Sequence, residues 1–274
     1  MPTSSDKPLH LPPFLRWMQR RNFPNKLGVC ERIFGRNLAP YGVVWVRTAV
    51  GPVWKLDLAN VTHRWIVYGD YEGPGLWNWI RARSESIRTV VDSGANIGQT
   101  VLTFAALAPR ARIFAYEPGS AARAWLTECV NASRLSAISV EPTGLGETAG
   151  TACLSGENFD ERHGSWNRVN PSEGEPITIA TLDGELDRHG IDTLDFWKLD
   201  MEGYEFQALQ GAARALAARR IRALYVEVGG EAGEPALTYL RSHGYSVQKL
   251  TASGGLTEWQ SSVDYASALC LPPN

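Results

Sequence analysis

From Thr89 onward the chain alternates short β-branched, apolar runs with helical stretches, and this alternation restricts the fold more than any other feature. TVVDSG (89–94), RIFAYEP (112–118), AISVEP (137–142), ITIATL (177–182), DFWKLDM (195–201) and RALYVEV (222–228) read as strands. Helical patterns at 98–108, 119–133, 203–219 and 234–243 separate them, with a short helix after 182. Strands and helices in this order build an α/β domain: a mostly parallel sheet with helices on both faces. Two last runs, near 245–250 and 263–270, are joined by a Gly254-Gly255 turn and are expected to add an antiparallel pair at the sheet edge. The polar segment Glu161-Arg162-His163-Gly164-Ser165-Trp166 falls between two strands, where an insertion can act as a lid.

The region before Thr89 reads differently. Residues 11–37 are short helical pieces broken at Pro12, Pro13, Pro24 and Gly28, and 43–48 with 53–58 form a hairpin around Gly51-Pro52. A helix is expected over 74–88. Five of the ten tryptophans (Trp45, Trp54, Trp65, Trp77, Trp79) fall here. Most are expected in the core between this extension and the main domain, with a minority at an acceptor site. The 274 residues thus divide into an extension over 1–80 and a main domain over 81–274. The whole chain is nearly neutral, with 27 Lys and Arg against 29 Asp and Glu, yet residues 1–40 hold seven bases against two acids. That basic end reads as a solvated face, with an acidic partner or peripheral membrane contact as the second reading.

Composition removes several classes. With 44% hydrophobic and 20% charged residues the chain is globular. The net charge of −2 gives no general pull towards nucleic acid. No apolar run is long enough for a transmembrane helix, and MPTSSDKPLHLPPFLRW lacks a signal-peptide core. Cys30, Cys129, Cys153 and Cys270 are scattered, which speaks against a zinc site or a disulfide framework and for a reducing cytoplasm.

The sharpest motif is Val90-Val91-Asp92-Ser93-Gly94-Ala95-Asn96-Ile97-Gly98: strand, glycine loop, helix. Gly94 permits a tight turn and close ligand approach, and Gly98 permits close helix packing on the strand. A dinucleotide site wants G-x-G-x-x-G and no acid at the strand end. The G-x-x-x-G spacing with Asp92 suits a cationic ligand instead, such as S-adenosylmethionine (SAM). Glu117, at the end of the next strand, is placed to accept both ribose hydroxyls, with Pro118 following it. Lys198, Asp200 and Glu202 alternate at a third strand end, so they share one side if the strand continues. Asp200 and Glu202 are then candidates to position the amino acid portion of SAM, to take a proton from a hydroxyl or to hold a metal, or else they cap the helix starting near Gly203.

VVDSGANIGQTVLTFA, FAYEP, the TLD at 181–183 and WKLDMEGYEFQALQG together resemble the FkbM family of SAM-dependent methyltransferases over about 88–229. The resemblance implies the Rossmann-like class I methyltransferase fold, with a seven-stranded sheet. It also implies methyl transfer to an oxygen of a sugar or other natural-product hydroxyl. By position, Asp92, Gly94, Ala95, Asn96 and Gly98 form the SAM loop, Glu117 holds the ribose, and Asp200 and Glu202 sit at the reaction crevice. Ser93 stands where the family usually has a small aliphatic or branched residue. The family's Tyr-Glu pair falls on Tyr71-Glu72 and implies a place for Glu72 near the cofactor.

An alcohol acceptor needs a base, and Asp200, Glu202, His63 and His163 are the candidates. His10, His189 and His243 read as solvent or turn residues. The partner expected is a small molecule or glycan. The alternative reading is a SAM-binding protein that works through interaction without catalysis, and an NAD oxidoreductase is weakened by the missing glycine. The sequence leaves oligomeric state open. No H-E-x-x-H or compact ligand set appears, so no obligatory metal is expected. Metal-stripped protein should keep full activity in chelator; loss restored by magnesium or manganese would refute this.

Overall fold

The computed structural model describes residues 8–49, 51–69, 71–160, 164–170, 172–229, 233–260 and 266–273. Short helices at Pro13–Gln19 and Lys26–Cys30, and a π-turn at Glu31–Gly35, lead to a hairpin of β1 (Val43–Arg47) and β2 (Val53–Asp57). Gly28 is inside a helix and not a break. A helix the sequence did not announce covers Val61–Tyr68, capped by Asn60, whose side chain accepts the Thr62 N–H. The helix expected over 74–88 stops at Arg81.

The main sheet takes β3 (Thr89–Ser93), β4 (Arg112–Tyr116) and β5 (Ile138–Glu141) from the first half of the domain. A second sheet follows, of β6 (Thr143–Leu145), β7 (Gly150–Asp160), β8 (Gly164–Asn170) and β9 (Glu175–Ala180). The chain then returns to the main sheet with β10 (Phe196–Leu199), β11 (Leu224–Val228), β12 (Ser246–Leu250), β13 (Leu256–Glu258) and β14 (Ala266–Leu271). The order is β13-β12-β14-β11-β10-β3-β4-β5. Strands β11, β10, β3, β4 and β5 run parallel, and β14 runs antiparallel to β11 and β12. Of the eight runs read as strands from Thr89 onward, seven lie in this sheet and the 177–182 run falls in the second one as β9; β13 joins as the eighth strand, and it is β12 and β13 that flank the Gly254-Gly255 turn. Of the segment read as a polar insertion, Gly164, Ser165 and Trp166 belong to β8 of the second sheet, and 161–163 fall outside the described residues. The helix expected over 203–219 is two helices, Glu205–Gln210 and Ala213–Ala217.

Local chemistry accounts for several joints. Thr181 caps the Leu182–Arg188 helix through its hydroxyl, which accepts the Gly184 N–H at 3.1 Å. The buried Asp183 accepts the Arg214 and Ala215 N–H groups at 2.8 and 2.9 Å, capping the later helix. The TLD segment is thus built into the packing of the helices.

Extension and sheet share one apolar core. Trp54, Leu56, Leu58, Tyr68, Trp77 and Trp79 are buried in the same cluster as Val90, Ile113 and Phe196. The Trp79 ring lies 5.8 Å from that of Phe196, which also meets Phe104 at 5.2 Å. Trp45 and Trp65 are partly buried against it. Removing the Trp79 ring takes out a hub between helix and sheet. Trp79→Ala is expected to cost about 3–5 kcal/mol in a urea titration; a loss within surface-substitution range would show that the two parts do not depend on that contact.

Candidate active site

The strand order reverses between β3 and β10, and open α/β sheets form their ligand crevice at the carboxyl ends of such strands. The Ser93 hydroxyl accepts the Trp197 indole N–H at 2.7 Å and so ties the two strand ends together. The loop then turns at Gly94, with φ +81, where an added Cβ would stand 1.8 Å from the Asp200 carbonyl oxygen. At Gly98, with φ +97, a Cβ would stand 2.6 Å from Leu126 of the Ser120–Ser133 helix. Gly98 thus admits a neighbouring helix as well as starting its own. Glu117 is buried, and its two oxygens accept the Asn96 and Gly119 N–H groups, each at 2.8 Å.

These elements border a cavity of about 400 Å³. Gly94, Asn96, Glu117, Pro118, Asp200 and Glu202, all named from sequence, line it. Thr62, Trp65 and Tyr71 line it from the extension, and Leu154, Val169 and Ile179 from the second sheet. Asp92, Ala95, Gly98 and Glu72 are not among its lining residues. Glu72 accepts the Thr100 hydroxyl at 3.1 Å and lies 3.4 Å from the Lys198 ammonium, so it is within one contact of the wall. The strand ends at Leu199, so the alternation stops there and Glu202 lies in a turn with φ +55. The acid that holds this turn is Glu205, which accepts the Met201 and Gly203 N–H groups. His163 falls outside the described residues. His63 accepts the Asp57 N–H at 2.9 Å, and burial pushes its ring down to about 4, so it is a packed neutral histidine. His189 is also more than a turn residue: its Nε2 lies 3.5 Å from Glu141, beside Glu185. That trio has metal-ligand spacing, but Arg188 already bridges both carboxylates, and none of the three lines the cavity.

Sequence reading missed Glu227. Leu199 pairs with Val226, so the next position along each strand faces Asp200 with Glu227. The two carboxyls share a hydrogen bond. Burial and then the Asp200 charge push Glu227 up to about 9. Burial opposes the Asp200 charge too, but Lys198, 2.6 Å away, and the Glu227 hydrogen bond hold its carboxyl below the usual range. Lys198 is itself buried and held charged, well above the ordinary lysine value, by Asp200, Glu72 and Asp92. Tyr71 lies in the field of the same cluster, and its hydroxyl is raised, first by burial and then by Asp200 and Glu72. Among the described residues, neither carboxylate oxygen of the buried Asp92 has a hydrogen-bond partner. Burial raises this group to about 7; Lys198 opposes the shift, and Asp200, Glu72 and Glu117 add to it.

A doubly wound sheet with a glycine loop after its first strand, an acid after its second and carboxyls across the switch point has the Rossmann-like class I methyltransferase fold. The model of the methyltransferase FkbM domain matches residues 92–247, more than half of the chain, and the chain belongs to that family. Its cofactor is SAM. No curated protein matches it in sequence. Among solved structures it is similar to fibrillarin of Aeropyrum pernix with natively bound SAM, at 14% identity and TM-score 0.44, covering 86% of each chain. It is also similar to the precorrin-6y C5,15-methyltransferase of Geobacter metallireducens, at 14% identity and TM-score 0.40, covering 71% of this chain and 88% of that one. A third is the N-terminal domain of human METTL16 in complex with SAH, at 13% identity and TM-score 0.42, covering 92% and 84%.

The residues present fit this cofactor. SAM carries an ammonium and a sulfonium, and among the described residues the cavity is lined by one ammonium, Lys198, and by the carboxyls of Asp200, Glu117, Glu202 and Glu227, with Asp92 and Glu72 close to Lys198. The orphaned Asp92 oxygens are acceptors in want of a donor. Asp92 has its folded value raised from 3.8 to about 7, so its contribution to stability is present below the lower value and lost as pH rises through the upper one. A cation nearby favours the ionised form. SAM affinity is therefore expected to rise with pH up to about 7 and level off above it, and the cofactor-free protein to lose stability between 3.8 and about 7. Asp92→Asn should flatten both curves, as read by calorimetry and thermal unfolding. Curves unchanged by that substitution would remove Asp92 from the linkage.

Proposed function

We propose that this chain is an O-methyltransferase acting on a hydroxyl of a sugar, glycoside or other natural product. The observation that carries the reading is the Asp200–Glu227 pair at the cavity beside the Gly94 turn. An alcohol is a weak nucleophile until its proton is taken. Asp200 is ionised at neutral pH and takes that proton as the methyl arrives. Lys198 fixes one Asp200 oxygen, and the protonated Glu227 donates to the carboxylate, so the base is held still. Bound SAM supplies a methyl carbon on a positively charged sulfur, and alignment and exclusion of water contribute much of the rate.

Glu117, already anchored by two backbone N–H groups, keeps lone pairs for the ribose hydroxyls. Asp92 and Glu72 set the charge for the amino acid end of the cofactor. Glu202 faces the acceptor from the turn. The extension of residues 1–80 covers the cavity through Thr62, Trp65 and Tyr71. The free cysteines, three of them buried, fit a cytoplasmic location.

The test is methyl transfer from labelled SAM to a panel of glycosides, glycolipids and polyketide alcohols. The expected product is an alkali-stable methyl ether. Asp200→Asn should lower kcat by about 10²–10⁴-fold, the usual size of a general-base contribution, with a smaller effect on SAM Kd. Alkali-labile methyl esters, methylated RNA, or binding of NAD in place of SAM would each overturn the reading.

A further inference from the structure

The helix Pro13–Gln19 buries Leu15, Met18 and Gln19 and turns two aromatic rings outward. Phe14 is 55% exposed and Trp17 is 53% exposed, and they stack on each other with ring centres 5.8 Å apart. Arg21 lies over the Trp17 ring at 5.4 Å. Phe14 also packs against Phe34, which brings alongside it the turn that carries the exposed Arg32 and Ile33, Ile33 at 46%. Arg16, Arg20, Arg21 and Arg36 are exposed as well. Over residues 8–49 the sequence has seven bases and a single acid, Glu31. That acid is engaged inward by Arg64 at 2.7 Å and by the Tyr68 hydroxyl at 2.8 Å. The face is therefore apolar at its centre and positive around it.

We propose that this face docks the protein on an anionic lipid surface. Large aromatic rings with arginines beside them settle at the headgroup boundary: the rings leave water, and each guanidinium stays among phosphates. A second copy of the chain does not suit the face, since a two-fold contact would set its arginines against their own kind. Nucleic acid suits it less, because Phe14 and Arg21 already occupy the Trp17 ring that a base would need for stacking. The helix is far too short to span a bilayer, and none of the described helices is long and apolar enough to do so, so the attachment is peripheral and reversible. Arg20, one residue past the helix, also lines a second cavity of about 540 Å³, between the extension and the Gln99–Leu107 helix, which places that cavity beside the docking face.

Co-sedimentation of the full chain with vesicles tests this. The two vesicle types are phosphatidylcholine alone and phosphatidylcholine mixed in equal parts with phosphatidylglycerol. The protein is expected to pellet with the mixed vesicles, to stay in solution with the neutral ones, and to be released by salt. Phe14→Ser with Trp17→Ser should abolish pelleting. Arg16→Gln and Arg21→Gln should each weaken it about fivefold, the share of one surface cation. Unchanged SAM binding and melting would show that the variants are folded, and make the result independent of the acceptor's identity. No pelleting with either vesicle overturns the proposal, as does pelleting that survives loss of both rings. Binding of single-stranded RNA that is tighter than vesicle binding and equally sensitive to the ring substitutions would assign the face to nucleic acid instead.

Discussion

A buried ammonium orders this site. Lys198 is enclosed at the end of β10, and an uncompensated charge there would be prohibitive. Three carboxyl groups make it tolerable, and each comes from a different part of the chain: Asp92 from the neighbouring strand, Asp200 from just past the end of its own, Glu72 from the extension. The same cation keeps Asp200 ionised, and burial together with the Asp200 charge leaves Glu227 as the partner that retains its proton. One charge thus pairs with Asp200 and joins the extension to the switch point of the sheet.

What the sequence discloses follows from how local each signal is. The Asp92–Gly98 loop is legible because a strand, a tight turn and a helix follow one another within nine residues, so the chemistry lies along the chain. Glu227 is not, since a lone acid in an apolar run gains meaning only when β11 is laid beside β10 in register. The Val61–Tyr68 helix hides for another reason: VTHRWIVY is rich in β-branched and aromatic residues, and its burial against the core, with the Asn60 cap, overrides that preference. In Trp77 and Trp79 the aromatic count turns into packing, whereas Trp65 reaches the cavity, and only tertiary structure separates the two fates.

The extension is polarised. Its inner side contributes Trp54, Tyr68 and Trp79 to the shared core, and its outer side gathers arginines around Phe14 and Trp17. A formal charge of −2 averages over this division and conceals it.

The contact between Gly94 and the Asp200 carbonyl leaves no room for even a methyl group. With the Ser93–Trp197 hydrogen bond beside it, the glycine loop and the end of β10 form a single rigid jaw. The other jaw is built differently, with Thr62 and Trp65 on a short helix and Leu154 and Val169 on a separate sheet. One wall of the cavity is thus braced by contacts within the main sheet, and the facing wall is assembled from separate pieces of the fold.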